Sequence, residues 1–306
     1  MSQEQKKCPL CRGKDWIEVS RIGTNSLRNY WSEFGIDLDK DYGAIPDSLS
    51  QRRCCGCGVH FFSPMIVGAS SLYEAISGQD WYYDEHKWEF SEVLDALVQE
   101  RPENLLEIGC GAGNFLRQVD RLGVKAVGLE INPDGLKKCH AQGLNARDCR
   151  IDDLNEGFDA IVTFQVFEHL AEPAELISQC VNALNPGGVF IVAVPNQDGV
   201  LSEIEHNILN LPPHHVTRWS KSCFDYIAKQ HGLVVEEYLE EPLTFDLYAS
   251  YATSLLDKIK MRGRIFAKIY NQGLVFIHRA TLAASYLQAR ERLAGHTHIC
   301  IFRKPS

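Results

Sequence analysis

The chain has 306 residues, 45% of them hydrophobic, which suits one large α/β core plus a small additional module. A formal charge of -9 counts against an extended nucleic-acid face, which needs a basic surface. The longest purely apolar run, Val189 to Val194, is far too short to cross a bilayer, and the opening MSQEQKKCPL lacks the apolar stretch of a secretory signal, so a cytoplasmic setting is expected.

The first signal along the chain comes from cysteine, of which there are 11. In a reducing setting, paired cysteines hold metal more often than they form disulfides. Cys110, Cys139, Cys149, Cys180, Cys223 and Cys300 stand singly and read as small apolar packing residues. The other five form two CxxC turns, Cys8-Pro9-Leu10-Cys11 and Cys54-Cys55-Gly56-Cys57, each with a glycine close by. Two residues between thiols let a tight turn aim both sulfurs at one ion. Two such turns complete a tetrahedral site, which assigns zinc to Cys8, Cys11, Cys54 and Cys57, with Cys55 and then His60 as weaker substitutes. No βαβ pattern surrounds either pair, so a redox dithiol is disfavoured. A closed four-thiolate site has no open position, and its expected role is structural. The stretch between the pairs exceeds a minimal ribbon and should carry an inserted excursion around Tyr30 to Asp47. The expected division begins with a zinc-ribbon module with an inserted loop over 1–66. A helical linker or lid follows over 67–98, in which Tyr82 and Tyr83 are lid candidates.

From Leu105 the character changes. Leu105 to Ile108 has the pattern of a short buried strand, Gly109-Cys110-Gly111-Ala112-Gly113 follows at once, and Phe115, Leu116, Val119 and Leu122 then recur at helical spacing. Strand, glycine turn and helix form the context in which glycines let a backbone approach a ligand closely. A second strand, Ala126 to Leu129, ends in Glu130, about 20 residues beyond Gly109, where an acid can accept hydrogen bonds from both ribose hydroxyls. A dinucleotide site would want a third glycine where Asn114 stands, so the tighter GxGxG favours a cofactor without a pyrophosphate. Further on come a strand at Phe158 to Phe164, the run Gln165-Val166-Phe167-Glu168-His169-Leu170 and a helix from Ala174 to Leu184. A turn at Asn185 to Gly188 and the strand Val189 to Val194 complete the series.

This succession resembles the class I S-adenosylmethionine (SAM)-dependent methyltransferases, on the segments LEIGCGAGNF, GLEIN, FDAIVTFQVFEHL, NPGGVFIVAVPN and PPHHVTRWS. With the two cysteine pairs ahead of it, it looks like a subset fused to a zinc ribbon and associated with sugar and polysaccharide modification. The resemblance implies a Rossmann-like α/β core with a mostly parallel seven-stranded sheet over 99–242 plus 296–306, and a C-terminal helical insertion over 243–295 before the last strand. It implies that Glu107 faces the methionine amino group and that Gly109, Gly111 and Gly113 line the methionine and ribose. It further implies that Glu130 holds the ribose, Ile131 packs on adenine, and Gln165 sits beside the methionine end. Relatives often carry an acid near Arg150 for adenine; here Asp148 and Asp152 flank that point, and Ile151 is a packing candidate.

A sulfonium carbon is already electrophilic, so the enzyme mainly aligns an acceptor, with a base helpful for a hydroxyl or a carbon acid. His215, and after it His214, follow the fifth strand on a loop at the ligand-binding edge and are the candidates for that role. Some methyltransferases surround a divalent metal with a Glu-x-x-Glu-His run and a later histidine. Here Gln165 replaces the first Glu, which counts against a catalytic metal at Glu168 and His169.

Toward the C-terminus, strands are expected at Leu233 to Tyr238 and His298 to Arg303. Helices between them should run from about Leu247 to Ile269 and Leu274 to Leu293. The first carries Lys258, Lys260, Arg262, Arg264 and Lys268, a solvated face by default or a contact for a phosphorylated acceptor or peripheral membrane surface. The expected function is O- or C-methylation of a small molecule, foremost a sugar or nucleotide-linked sugar. RNA methylation and a non-catalytic SAM-binding or partner-binding role are the alternatives.

Overall fold

A computed structural model describes residues 7–43, 45–77, 85–204, 207–258 and 274–306, with side chains described outside 256–258 and 274–281. Tyr82, Tyr83, Lys260, Arg262, Arg264, Lys268 and the side chain of Lys258 lie outside the described residues, and with them the aromatic lid and the basic face.

The N-terminal part runs β1 (Trp16–Gly23), α1 (Thr24–Ser32), α2 (Leu38–Tyr42), β2 (Ser48–Cys54), β3 (His60–Ser63), α3 (Ser70–Ser77) and α4 (Trp88–Glu100). The central part runs β4 (Asn104–Ile108), α5 (Asn114–Arg121), β5 (Lys125–Leu129), α6 (Pro133–Ala141), β6 (Ala146–Arg147), β7 (Phe158–Phe164), α7 (Pro173–Ala183) and β8 (Leu184–Pro195). The C-terminal part runs β9 (Thr217–Arg218), α8 (Lys221–His231), β10 (Val234–Pro242), α9 (Phe245–Lys258), α10 (Leu274–Ala289) and β11 (Ala294–Arg303).

Seven strands form one sheet in the order β10-β11-β8-β7-β4-β5-β6. The pairings from β6 to β8 are parallel, and β11 is antiparallel to both its neighbours, so it alone is reversed. Strands buried on both faces read as continuous apolar runs rather than alternating ones. In β8 the whole of Val189 to Val194 is buried, with alternate residues feeding opposite cores. Phe190, Val192 and Val194 join Phe224, Phe302 and Trp219 on one face, while Val189, Ile191 and Ala193 join Phe115, Val93 and Ile301 on the other. The chain winds one way from β4 to β6 and the other way through β7 and β8, which opens a crevice at the carboxyl ends of β4, β5 and β7.

A second, four-stranded sheet has the order β1-β2-β3-β9. Its last strand belongs to the segment after the main sheet's fifth parallel strand, with Phe61 opposite Thr217 and His60 opposite Arg218. The two sheets also share a core, because Cys8, Cys54, Val59 and Phe61 pack in the same cluster as Phe167, Trp219 and Cys223.

Several elements differ from expectation. The excursion between the cysteine pairs is helical and packed: Leu27, Trp31 and Leu38 bury against Leu72, Ile76 and Leu211. The turn expected at Asn185 to Gly188 lies inside β8, where Gly187 (φ +77°) donates its N–H to the Lys304 carbonyl. Strand β11 starts at Ala294, because Gly295 fits beneath the Glu241 and Pro242 carbonyls, 2.7 and 2.9 Å from where a Cβ would stand.

Candidate functional site

A cavity of about 950 Å³ occupies the crevice. Of the residues expected from the sequence it brings together Glu107, Gly109, Gly111, Glu130, Ile131, Ile151, Gln165, His214 and His215. Gly113 departs from that set. It caps α5 with φ +81° and faces inward, where a Cβ would meet Cys139 Sγ at 2.9 Å, so its lack of a side chain serves packing. Gly109 does line the cavity; its φ is +72°, and a Cβ there would come within 2.7 Å of Val166 Cγ2.

Glu130 follows β5 and braces the glycine turn. Its Oε2 accepts the Gly111 N–H and its Oε1 accepts the Asn132 N–H, each at 2.7 Å. Each oxygen keeps a further lone pair, so a half-buried carboxylate can serve the turn and still accept from a ligand. Ile131 is 85% exposed, an apolar side chain standing free on the cavity wall. Ile151, by contrast, lines the cavity as a buried side chain. Asp152 pairs with Arg150 at 3.2 Å, and neither Asp148 nor Asp152 is among the lining residues.

Glu107, the penultimate residue of β4, is almost fully buried, and its Oε2 has no hydrogen-bond partner. Burial, with the nearby Cys139 and Glu130, pushes its carboxyl up to about 8, against the opposing pull of Lys87. Gln165 lies just past β7 at φ +54°, a conformation that costs a non-glycine residue energy and holds its side chain across the cavity floor. There its Nε2 donates to Glu89 Oε1 at 3.2 Å and to Thr297 Oγ1 at 3.4 Å.

The far wall is built from imidazoles. His214 and His215 stack at 4.6 Å between ring centroids, and His169 stands edge-on to them at 4.5 and 4.9 Å. His169 donates from Nδ1 to the His214 carbonyl at 2.8 Å, and His214 from Nδ1 to the Leu209 carbonyl at 2.7 Å. His215 Nδ1 lies 3.1 Å from Asn210 Oδ1. Burial lowers His169 to about 4, opposed by the carbonyls of His214 and Gln165. Burial and then the neighbouring His169 lower His214 to about 3, and burial and the adjacent rings hold His215 well below the usual range. All three are therefore neutral near pH 7. Glu168, also buried, is pushed up to about 8 by burial.

The loop that carries His214 and His215 is tied to the N-terminal part. Trp31 Nε1–H donates to the Pro212 carbonyl at 2.8 Å, while within the loop's own segment Arg218 Nη2 donates to the Asn210 carbonyl at 2.6 Å. His169, Glu89, Glu241 and Thr297 line the cavity without having been singled out as binding residues. His169 carried a signal, the Glu-His pair after β7. Thr297 and Glu241 carried none, because they reach the cavity only through the antiparallel pairing of β10 and β11.

At the N-terminus, Cys8, Cys11, Cys54 and Cys57 bring their sulfurs within 4.8 Å of one another. The closest approaches are 3.5 Å for Cys8–Cys57 and 3.4 Å for Cys11–Cys54. Sulfurs on one tetrahedral zinc lie about 3.8 Å apart for Zn–S of about 2.3 Å, so the four fit a common ion. Cys55 is exposed, and His60 Nδ1 sits 3.2 Å from Gln51 Nε2, so neither substitute joins the group.

A mostly parallel sheet with one reversed strand beside its edge, and a glycine turn at its switch point, defines the fold of the class I SAM-dependent methyltransferases, whose cofactor is S-adenosylmethionine. Residues 70–238 match the family described as Methyltransferase domain, more than half of the chain, and the chain belongs to that family. Among curated proteins it is 29% identical over 128 residues to a ubiquinone biosynthesis O-methyltransferase of Cereibacter sphaeroides, covering 39% of this chain and 52% of that protein. It is 35% identical over 143 residues to a probable S-adenosylmethionine-dependent methyltransferase of Mycolicibacterium smegmatis, covering 44% and 54%. The chain thus spans about half the length of the curated relatives it matches. Among solved structures, a SAM-dependent methyltransferase from Archaeoglobus fulgidus is similar at 17% identity and a TM-score of 0.47, over 70% of this chain and 94% of that one. No helix among the described residues is long and apolar enough to cross a membrane.

Proposed function

We propose that the chain transfers a methyl group from SAM to a hydroxyl of a small molecule, foremost a sugar or nucleotide-linked sugar. The observation that carries this reading is one cavity with two chemically different ends. The glycine turn with Glu130, Ile131 and Ile151 supplies one end, suited to a nucleoside and amino acid; His214 and His215 supply the other.

In this reading Glu107 receives the methionine ammonium, Gln165 flanks the methionine end and Glu130 holds the ribose. His215 assists the acceptor. Its Nδ1 faces the Asn210 amide oxygen and so carries the proton, which leaves Nε2 free to draw on a hydroxyl. His215→Ala then lowers turnover by about 10²-fold or more with SAM affinity unchanged. Zinc on Cys8, Cys11, Cys54 and Cys57 holds the N-terminal module (1–66), and 67–98, 99–242 with 296–306, and 243–295 are the linker, core and insertion.

A phenolic acceptor is the second reading, favoured by the relatives named for ubiquinone biosynthesis O-methylation. Labelled SAM offered with sugar nucleotides, catechols and total RNA in parallel separates the readings. Label appearing in the sugar-nucleotide pool supports the first, label in the catechols alone replaces it with the second, and label in RNA removes both.

A further inference from the structure

The sequence disfavours a catalytic metal because Gln165 stands where a carboxylate ligand is expected. The fold supplies other ligands. We propose that His169, His214 and His215, with Glu168 beside them, form a second cation site on the cavity wall, separate from the cysteine cluster, that takes a divalent transition metal.

Tautomers carry the first part of the argument. A carbonyl oxygen only accepts, so the Nδ1 contacts of His169 and His214 at 2.8 and 2.7 Å place the proton on Nδ1 and the lone pair on Nε2. Asn210 Oδ1 does the same for His215. Nδ1–H groups anchored on carbonyl or amide oxygens are the outer-shell arrangement that orients metal-binding imidazoles.

Convergence is the second part. One ring nitrogen from each histidine lies within 4.8 Å of the others. His169 Nε2 and His215 Nε2 are each 3.9 Å from the same oxygen, Glu168 Oε1. Neither Glu168 oxygen has a hydrogen-bond partner, nor does His214 Nε2, although these residues are only 1% and 6% exposed. Buried polar atoms left without a partner are costly, and a shared cation turns them into ligands. Nitrogens on one tetrahedral zinc lie about 3.4 Å apart, so an inward movement on the order of 1 Å closes the group. Three imidazoles and one carboxylate select zinc, cobalt, nickel or iron(II) over magnesium or calcium.

The three histidines line the cavity, so an acceptor oxygen would enter as a fifth ligand from that side. That role rests on the methyl-transfer reading; binding of the cation does not. Because His215 has a single free lone pair, holding the ion and acting as base exclude each other.

The test uses the full chain with its cysteine cluster filled with zinc, titrated with cobalt(II) and followed by visible absorption. One further cobalt per chain is expected, with weak ligand-field bands and no intense sulfur-to-cobalt charge transfer. His214→Ala and Glu168→Gln, each checked for one retained zinc and a cooperative melt, should weaken cobalt binding at least tenfold. No cobalt uptake by the wild-type chain overturns the proposal, as does unchanged affinity in both folded variants. Methyl transfer without cobalt uptake removes this site and leaves the transferase reading with His215 as base. Cobalt uptake without transfer to any acceptor supports the site and removes that reading.

Discussion

At the scale of single residues, the two glutamates of the glycine turn do different work. Glu130 already accepts two backbone N–H groups, so it sets the loop before any ligand arrives. Its loss removes charged hydrogen bonds of about 1.5–3 kcal/mol each, and Glu130→Ala should weaken SAM about tenfold or more by calorimetry. Unchanged affinity in a folded variant would sink the ribose assignment. Glu107 is raised to about 8, so it is protonated in the free protein at neutral pH. A cationic ammonium placed beside it favours the carboxylate and expels the proton. SAM binding near pH 7 should therefore release protons in calorimetry across buffers of differing ionisation enthalpy, and Glu107→Gln should abolish the release. The stability sign follows from the same shift. A carboxyl raised on folding contributes stability that is present below its unfolded value of 4.5 and lost as pH rises through about 8. Glu107→Gln should then gain thermal stability over wild type as pH is raised from 5 to 8.

At the scale of elements, what was legible in the sequence was what local chemistry determines. The β4–turn–α5 unit announces itself because an apolar run, three glycines and a 3.6-residue period sit within one short segment. The CxxC turns do so because thiol spacing is itself the geometry. What stayed hidden depends on partners distant in sequence. Strand β9 is two residues long and exists only by pairing with β3. The helical excursion α1–α2 has its core residues in α3 and Leu211, so its own pattern is incomplete. His169 gains its setting only when the loop after β8 folds back on it. That loop is held in place by Trp31, whose indole reaches the Pro212 carbonyl from α1. Trp31→Phe deletes this buried bond, worth about 1 kcal/mol, while keeping an aromatic ring. Turnover should fall severalfold with SAM affinity near wild type; equal losses in both would show that Trp31 is only a packing residue.

At the scale of the whole molecule, the cysteine cluster is not a detachable bead. Its sheet ends in β9, and its cysteines pack in the same core as Phe167 and Trp219. Zinc binding should therefore be linked to the stability of the chain as one unit. Chelation, or Cys57→Ser, should lower a single calorimetric transition; a separate early transition with the main melt unchanged would show an independent module. Metal analysis of protein purified without chelator should find at least one zinc per chain.

The pairing of β3 with β9 also fixes an order of events during synthesis. The ribosome delivers β3 more than a hundred residues before its partner, so until Arg218 emerges the nascent chain presents His60 to Ser63, with Phe61 and Phe62 within it, as an open strand edge. Such an edge is a template for other strands. Zinc can staple the cysteine turns early but cannot cover that edge. The interval between the third strand of this sheet and its delayed neighbour is therefore when the nascent chain is most open to wrong pairing.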